Sequence, residues 1–403
     1  MSRFVEFRRI QIRDYKSIAA CDVELSPLTF LVGPNGSGKS NFLDALRFVS
    51  DCLSHSVEQA IRDRGGINDC RRRSEGRPRH FGMRVEFSLG QTSGSHFAFE
   101  IGDRKGGGFT IKHESCSVVS IRNGKTVRAS YEAGAGGVTS LKLAGFEKLQ
   151  IPISDDRFFL SLLSNFADFR PAELALRTMS FYKLNPEKIR DLQAAEAGDV
   201  LARDGANAAA VLATLAKKHP GVKSRIEEYL ATVAPGTTHV NPKTLGPRET
   251  LEFEETVLGA SKSRRFLAAS MSHGTLRALG ILLALFQSPN GLRRVSLIGV
   301  EEPETALHPA AAGALLDALR EASDSRQVIV TSHSPDLLDS PDVNAESILA
   351  VSASDGCTSI APLTPSERTV LKRRLKTPGE MLRTNQLTPD LQKVPKLGQL
   401  KLF

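Results

Sequence analysis

The chain has 403 residues, of which 40% are hydrophobic and 24% charged, a composition typical of a globular protein rather than a disordered one. No segment approaches the roughly 20 consecutive apolar residues of a membrane span, and the charged N-terminal segment lacks the apolar stretch of a secretory signal. The five cysteines are scattered without CxxC spacing, which argues against disulfides and zinc sites. Because free thiols suit a reducing compartment, we expect a cytoplasmic protein.

The net charge of +8 is concentrated in two segments. Residues 61–84 contain eight arginines and three acidic residues, and residues 367–403 contain nine Lys or Arg and three acidic residues. Such basic segments are typical of nucleic-acid binding, so DNA or another nucleic acid is a predicted partner. The alternative is that the first segment is a solvated surface and the second a flexible tail.

Hydrophobic periodicity predicts strands and helices along most of the chain. The first half is predicted to contain strands at 4–12, 20–26 and 28–32, a helix at 40–61, an antiparallel insertion over 82–150 with a turn at Asn123-Gly124, and mostly helices over 157–235, including the Ala-rich stretch 192–215. The second half is predicted to contain a strand at 250–258, a helix at 274–287, a strand at 295–300, a helix at 309–322 and a strand at 327–331. Strand, helix and strand in succession indicate an α/β fold with a parallel sheet. From about residue 362 the chain is basic and contains few apolar residues, which predicts a loosely held tail.

Residues 33–40 fit the pattern G-x-x-x-x-G-K-[ST] of a loop that binds nucleotide phosphates. Glycines let the backbone curl until its N–H groups point at a phosphate, and the helix predicted to begin near Lys39 adds the positive end of its dipole. Lys39 would pair with the β- and γ-phosphates, and the Ser40 hydroxyl would ligate Mg²⁺. The alternative, an incidental glycine-rich turn, does not explain the buried strand before the loop and the amphipathic helix after it. The predicted ATP-binding residues are Gly33, Pro34, Asn35, Gly36, Ser37, Gly38, Lys39 and Ser40.

The predicted strand 295–300 ends at two adjacent carboxylates, Glu301 and Glu302. A carboxylate at such a strand end can hold Mg²⁺, and a second one can orient and deprotonate the attacking water. We therefore assign Glu301 to the metal and Glu302 to the water. The alternative is that these acids cap the next helix, which would explain one carboxylate but not two adjacent ones.

Two further segments contain candidate anion-binding residues, and the first of them could donate a hydrogen bond to a γ-phosphate. His333 follows the predicted strand 327–331, and a histidine at the carboxyl end of a parallel strand lies on the ligand-binding edge of the sheet. Ser272 and Gly274 open the predicted helix 274–287, and the N-terminus of a helix favours anions. The alternatives are a capping or core histidine and a simple N-cap serine.

Taken together, the motifs resemble the ABC-type ATPase heads of the RecF, Rad50 and SMC group. They look most similar to the stand-alone predicted ATPases of that group, which are related to the ATPase half of OLD-family nucleases. The resemblance rests on IQIRDYKSI at 10–18, GPNGSGKSN at 33–41, SHGT at 272–275, LIGVEEPETALHP at 297–309 and TSHSP at 331–335. It implies a phosphate-loop NTPase of ABC-ATPase head type and adds Asn41 to the nucleotide-binding residues. The implied organisation is an ATPase lobe (1–81 and 251–361), an antiparallel β insertion (82–150), a helical lobe (151–250) and a basic C-terminal tail (362–403).

The resemblance also implies a mechanism in which two heads enclose two ATP molecules. Each ATP would be held by Lys39 and Ser40 of one copy and by Ser272 and Gly274 of the other. Three features differ from the family pattern: Glu301 stands where an aspartate is usual, His273 replaces a glycine, and no Q-loop glutamine is assigned. The sequence contains no long coiled coil, and we expect any nuclease to be a separate polypeptide.

These motifs are compatible with three functions. The first is a DNA-associated ATPase that dimerises on ATP and acts in DNA repair or anti-phage defence, with a separate nuclease or toxin effector. The second is an ATP-held oligomeric scaffold that sequesters such an effector with little turnover. The third is the nucleotide-binding subunit of a membrane transporter, which fits the degenerate signature and the RecF-type N-terminal segment poorly.

Overall fold

A computed structural model describes residues 5–73, 78–104, 106–122, 124–143, 156–256, 263–287, 295–340, 342–396 and 398–403. No helix within these ranges is long and apolar enough to cross a bilayer.

The strands are β1 (Val5–Tyr15), β2 (Ile18–Glu24), β3 (Leu28–Val32), β4 (His80–Leu89), β5 (Thr92–Asp103), β6 (Phe109–Arg122), β7 (Lys125–Gly134), β8 (Gly137–Lys142), β9 (Ser180–Tyr182), β10 (Gln193–Ala194), β11 (Thr237–Leu245), β12 (Arg248–Glu255), β13 (Arg264–Leu267), β14 (Leu297–Glu301), β15 (Gln327–Ser332), β16 (Ile348–Ser354) and β17 (Cys357–Pro362). The α-helices are α1 (Lys39–Ser54), α2 (Val57–Arg62), α3 (Ile67–Cys70), α4 (Phe159–Leu163), α5 (Arg170–Arg177), α6 (Pro186–Arg190), α7 (Ala208–Lys218), α8 (Pro220–Val233), α9 (His273–Phe286), α10 (Ala312–Ser325), α11 (Pro335–Leu338), α12 (Pro365–Lys372) and α13 (Pro378–Arg383). Short 3-10 helices cover Ala268–Ser270, Pro309–Ala311, Ala345–Ser347 and Leu391–Lys393.

The chain forms two compact units, and the first comprises Met1–Met179, Asn344–Arg373 and Asn385–Phe403. Its strands follow the order β8-β7-β6-β5-β4-β1-β2-β17-β16-β3. The pairs from β8 to β2 are antiparallel, whereas β17 pairs parallel with β2 and β16 pairs parallel with β3. This unit therefore joins an antiparallel meander to parallel strands, and the parallel part includes the strand before the phosphate loop.

An aromatic cluster fixes α1 in the first unit. The ring of Phe48, on α1, lies 5.5 Å from Phe81, 5.8 Å from Tyr15 and 5.9 Å from Phe99. Phe158 packs on Phe99 with 4.8 Å between ring centroids. All five side chains are buried, and burying each one contributes about 1.5–3 kcal/mol. The helix that follows the phosphate loop is thereby held against β1, β4 and β5.

The second unit comprises Ser180–Val343 and Arg374–Thr384. In it β14 pairs parallel with β9 on one side and with β15 on the other. A smaller antiparallel sheet has the order β10-β12-β11, and β13 also pairs with β12. The residues of β15 are all buried, which explains why the sequence shows a continuous apolar strand rather than an alternating one. The α/β class and the parallel pairing of the strands predicted at 295–300 and 327–331 are confirmed.

Three secondary-structure predictions need correction. The helix predicted over 40–61 is two helices, because Ser56 caps α2 by accepting the Gln59 N–H. The Ala-rich stretch 192–215 is helical only from Ala208, because Gly205 adopts a φ of +86° and Gln193 joins a strand. The antiparallel strands predicted over 82–150 extend from residue 80 to residue 142, whereas 144–155 and Asn123 lie outside the described residues.

The prediction of a loosely held tail after residue 362 is wrong. Capping boxes begin α12 at Thr364 and α13 at Thr377. Leu400 and Leu402 are buried in the first unit together with Ala20, and Arg84 donates to the Leu402 carbonyl at 3.1 Å. Several of the few apolar residues of this segment therefore pack in the interior, although Leu375 and Leu391 are exposed, and low average hydrophobicity does not distinguish the two groups.

Candidate nucleotide site

The phosphate loop lies between a buried strand and a helix in the first unit. β3 ends at Val32, and α1 begins at Lys39. Gly36 and Gly38 adopt φ values of +78° and +103°, a region that side-chain-bearing residues rarely occupy. A Cβ on Gly38 would also lie 2.1 Å from the Thr358 hydroxyl oxygen. Both the backbone conformation and the close approach therefore require glycine at position 38.

Lys39 is buried and folds back over the loop. Its ammonium donates to the carbonyl oxygens of Gly33 at 2.7 Å and Pro34 at 2.9 Å. Ser37 is also buried, and its hydroxyl has no hydrogen-bond partner within the described residues. A positive charge and an unpaired donor beside a curled glycine-rich backbone fit the oxygens of a nucleotide phosphate.

A chain of hydrogen bonds braces the loop from outside. Asn41 donates to the Ser17 hydroxyl at 2.6 Å, and the Ser17 and Thr358 hydroxyl oxygens are 2.7 Å apart. Thr358 then donates to the Ser37 carbonyl at 2.9 Å. Asn41 and Ser17 belong to the motifs that carry the family resemblance, but Thr358 was missed. Its contribution depends on β17 pairing with β2, where Thr358 stands opposite Ile18.

The aromatic and basic residues before Ser17 bind to α1. Tyr15 donates its hydroxyl proton to Asp44 at 2.8 Å, and the Lys16 ammonium is 2.5 Å from the same carboxylate. Burial would raise the pKa of Asp44, but Arg64, Lys16 and Arg47 together hold it well below its usual range. Asp44 is therefore a permanent anion that ties β1 to the helix following the loop.

In the second unit, the end of β14 presents Glu301 and then a strained Glu302. Glu302 has a φ of +45°, and its N–H donates to the Thr331 carbonyl at 3.0 Å. His333 Nδ1 lies 3.3 Å from Glu302 Oε1. The Glu301 carboxylate is mostly buried, with Arg203 Nη2 at 3.3 Å. The structure thus brings together Glu302 and His333, and left-handed backbone at a non-glycine residue is a recurrent feature of functional sites.

Arg277, which was missed in the sequence, holds the backbone of this acidic turn. It lies on α9 and donates to the Glu302 carbonyl at 2.9 Å and the Leu184 carbonyl at 3.0 Å. Burial lowers the pKa of Arg277, while Glu304 and Glu302 oppose that effect. Its position three residues after Gly274, on the same helix face, is the only sequence signal that could have indicated it.

Ser272 is the N-cap of α9, as the simpler alternative proposed. Its hydroxyl accepts the Thr275 N–H at 3.1 Å and lies 2.9 Å from the Thr275 hydroxyl. A Cβ on Gly274 would lie 2.7 Å from the Ala306 carbonyl oxygen. His273 contacts the Glu187 carboxylate. Close packing against Ala306 therefore requires glycine at position 274 by itself.

Within the described part of the basic segment 61–84, most arginines form ion pairs with carboxylates of the first unit. Its charge therefore attracts a polyanion less than the sequence suggests, because ion-paired guanidinium groups are already compensated. The arginines with carboxylate partners are Arg62, Arg64, Arg71, Arg72, Arg73 and Arg84.

The fold and the loop geometry define the class of protein, a phosphate-loop α/β protein, and similarities to known proteins support an ABC-type ATPase head of the RecF, Rad50 and SMC group. The chain matches the family described as "AAA domain, putative AbiEii toxin, Type IV TA system" over residues 28–117 and 154–339. This match covers more than half of the chain, so the chain belongs to that family.

Short segments are similar to curated proteins named DNA replication and repair protein RecF. The identity is 55% over 47 residues with the protein of Porphyromonas gingivalis and 38% over 63 residues with that of Aliivibrio fischeri. These matches cover 11% and 15% of this chain, and the chain spans only 13% and 17% of the two relatives' lengths.

Solved structures of Smc head domains have the same fold. A head bound to the C-winged helix domain of ScpA aligns with a TM-score of 0.54 and 15% identity, covering 90% of this chain and 99% of that one. A Pyrococcus furiosus head with an extended coiled coil, bound to the C-terminal domain of ScpA, aligns with a TM-score of 0.53 and 14% identity, covering 92% and 99%. At this identity the likeness concerns the fold alone.

Proposed function

We propose that the chain binds ATP through residues 33–41 and hydrolyses it. The observation that carries the proposal is the phosphate loop, in which a buried lysine and an unpaired buried serine hydroxyl line a glycine-rich turn between β3 and α1. Membership in an ATPase family supports nucleotide binding.

In this proposal, Lys39 pairs with the β- and γ-phosphates, and the oxygen ligands Ser40 and Glu301 hold Mg²⁺. Both supply the hard oxygen donors that Mg²⁺ prefers, and the exposed Arg203 beside Glu301 can move away from an incoming cation. When bound, Mg²⁺ would neutralise phosphate charge that develops during transfer. Glu302 accepts the proton of the attacking water, and His333, whose ring contacts Glu302, donates to the γ-phosphate.

Ser272 and Gly274 are proposed to contact the ATP held by a second copy of the chain. Their place at the first turn of α9 supports this role, because N–H groups at a helix N-terminus stabilise anions. ATP would then join two copies, and hydrolysis would release them.

Two substitutions test hydrolysis. Glu302→Gln should keep ATP binding but abolish turnover and accumulate a dimer, because an amide cannot accept the proton of water. Lys39→Ala should lose both binding and turnover. Glu196→Gln and Lys125→Ala, at exposed positions, are the matched controls. Full turnover by Glu302→Gln would refute the assignment.

We propose DNA repair or anti-phage defence with a separate effector as the process that ATP drives. The RecF relatives support a role on DNA, and the family description, which names a toxin, supports a defence system. The alternative is an ATP-held scaffold that sequesters a toxin or nuclease, and the ion-paired arginines of 61–84 favour it.

DNA binding and turnover distinguish these two functions. A DNA-associated ATPase should be stimulated by DNA and retain it at moderate salt, with an affinity that falls steeply as salt rises. A scaffold should show neither effect, and its oligomer should persist for as long as ATP is bound.

A further inference from the structure

Glu304, in the turn after β14, holds the loop that contains His333. Its Oε1 accepts the Ser332 hydroxyl proton at 2.7 Å and the His333 backbone N–H at 3.4 Å. Ser332 Oγ in turn accepts the Ser334 N–H at 3.0 Å. One carboxylate oxygen therefore organises three consecutive residues at the carboxyl end of β15.

The other oxygen of this carboxylate is not used. Glu304 Oε2 is buried and has no hydrogen-bond partner within the described residues, and the same is true of Arg277 Nε. A buried carboxylate oxygen without a partner destabilises the folded state, so stabilisation alone does not account for Glu304 at this position. A glutamine at position 304 could accept the same protons through its amide oxygen without burying a charge.

We propose that Glu304 is a positioning residue for ATP hydrolysis, which fixes His333 relative to Glu302. This inference rests on the proposed hydrolysis. The Glu302 N–H is bonded to Thr331, and Glu304 is bonded to the two residues that follow Thr331. Hydrogen bonds therefore connect the turn that contains Glu302 and Glu304 to the segment that contains His333. These bonds lie on both sides of the Glu302–His333 contact. Hydrogen bonds of this kind keep a reacting side chain in the orientation that the reaction needs. The turnover rate of a site depends on such support from neighbouring residues.

The test compares Glu304→Ala, Glu304→Gln and Ser332→Ala with the wild type. Glu304→Gln retains an oxygen that can accept the Ser332 proton, whereas alanine removes it. Glu249→Gln is the matched control, because Glu249 lies on β12 of the same unit and also has a buried oxygen without a partner within the described residues. Steady-state turnover gives kcat and the KM for ATP, and amide hydrogen exchange reports on the N–H groups of His333 and Ser334.

We expect Glu304→Ala to lower kcat by about 10- to 100-fold, with the KM for ATP unchanged. Losses of this size are usual when a residue that hydrogen-bonds to a site residue is removed. The amides of His333 and Ser334 should exchange faster in Glu304→Ala and Ser332→Ala, and Glu304→Gln should recover most of both properties. Turnover and exchange equal to those of Glu249→Gln would overturn the proposal, as would a rise in KM that accounts for the loss. If the wild type shows no turnover, the proposed hydrolysis is wrong. Amide exchange then decides alone whether Glu304 fixes the loop.

Discussion

Thr358 should hold the phosphate loop in its binding conformation, and Thr358→Val tests this with almost no change in shape. The hydroxyl donates to the Ser37 carbonyl at 2.9 Å and lies 2.7 Å from the Ser17 hydroxyl oxygen, and the residue is only 3% exposed. Valine fills the same space but removes the hydrogen bond to the buried Ser37 carbonyl and the one to the half-buried Ser17 hydroxyl, which keeps its bond from Asn41. The expected cost is about 1–3 kcal/mol in the free energy of unfolding.

The same substitution should weaken ATP binding. Each 1.4 kcal/mol corresponds to about a tenfold change in Kd, so a cost that falls on the loop should raise the Kd for ATP by about 5- to 140-fold. Calorimetric titration with a non-hydrolysable ATP analogue measures this directly. Because the chain contains no tryptophan, urea unfolding is best followed by far-UV circular dichroism.

A control and a double-mutant cycle make the test decisive. Thr126→Val, on the exposed face of β7, should change the unfolding free energy by less than about 0.5 kcal/mol. Ser17→Ala combined with Thr358→Val should give a coupling energy of about 0.5–3 kcal/mol, because the two hydroxyls share one hydrogen-bond chain. If Thr358→Val unfolds and binds ATP like Thr126→Val, the loop is not held by Thr358.

Three further predictions concern stability. Burial raises the pKa of Glu114 from 4.5 to about 7, so the folded state retains a proton that the unfolded state loses. The contribution of Glu114 to stability should therefore be greatest below about pH 4.5 and fall by about 3 kcal/mol as the pH rises to 7. In urea titrations, the difference in unfolding free energy between the wild type and Glu114→Gln should change by this amount over that range, and a difference that does not depend on pH would contradict it. Gly274→Ala should lower the melting temperature even without nucleotide, because the added Cβ would meet the Ala306 carbonyl. An unchanged melting temperature would show that packing does not require glycine at this position. Leu402→Ala should lower the unfolding free energy by about 2–5 kcal/mol, whereas a loosely held tail would give no change against the exposed control Leu391→Ala.

Features that depend on a few neighbouring residues could be read from the sequence. The buried strand at 28–32, the glycine-rich turn and the helix from Lys39 follow from local hydrophobicity and backbone freedom, and the structure has all three. The N-cap at Ser272 is equally local, since its hydrogen bond reaches only three residues along the chain. The roles of Glu301 and Glu302 in hydrolysis stay predictions, although the end of β14 was placed to within one residue.

Other features depend on which distant segments become neighbours, and only the tertiary structure decided them. Thr358 braces a loop 321 residues away, because β17 pairs with β2. The carboxylate partners of the arginines of 61–84 could not be predicted either, because several of them lie far along the chain, such as Asp14 for Arg72 and Asp103 for Arg71. Local patterns determine strands, turns and caps because their interactions span a few residues. The partner of a charge or a hydroxyl is set by strand order and register, which no short pattern encodes.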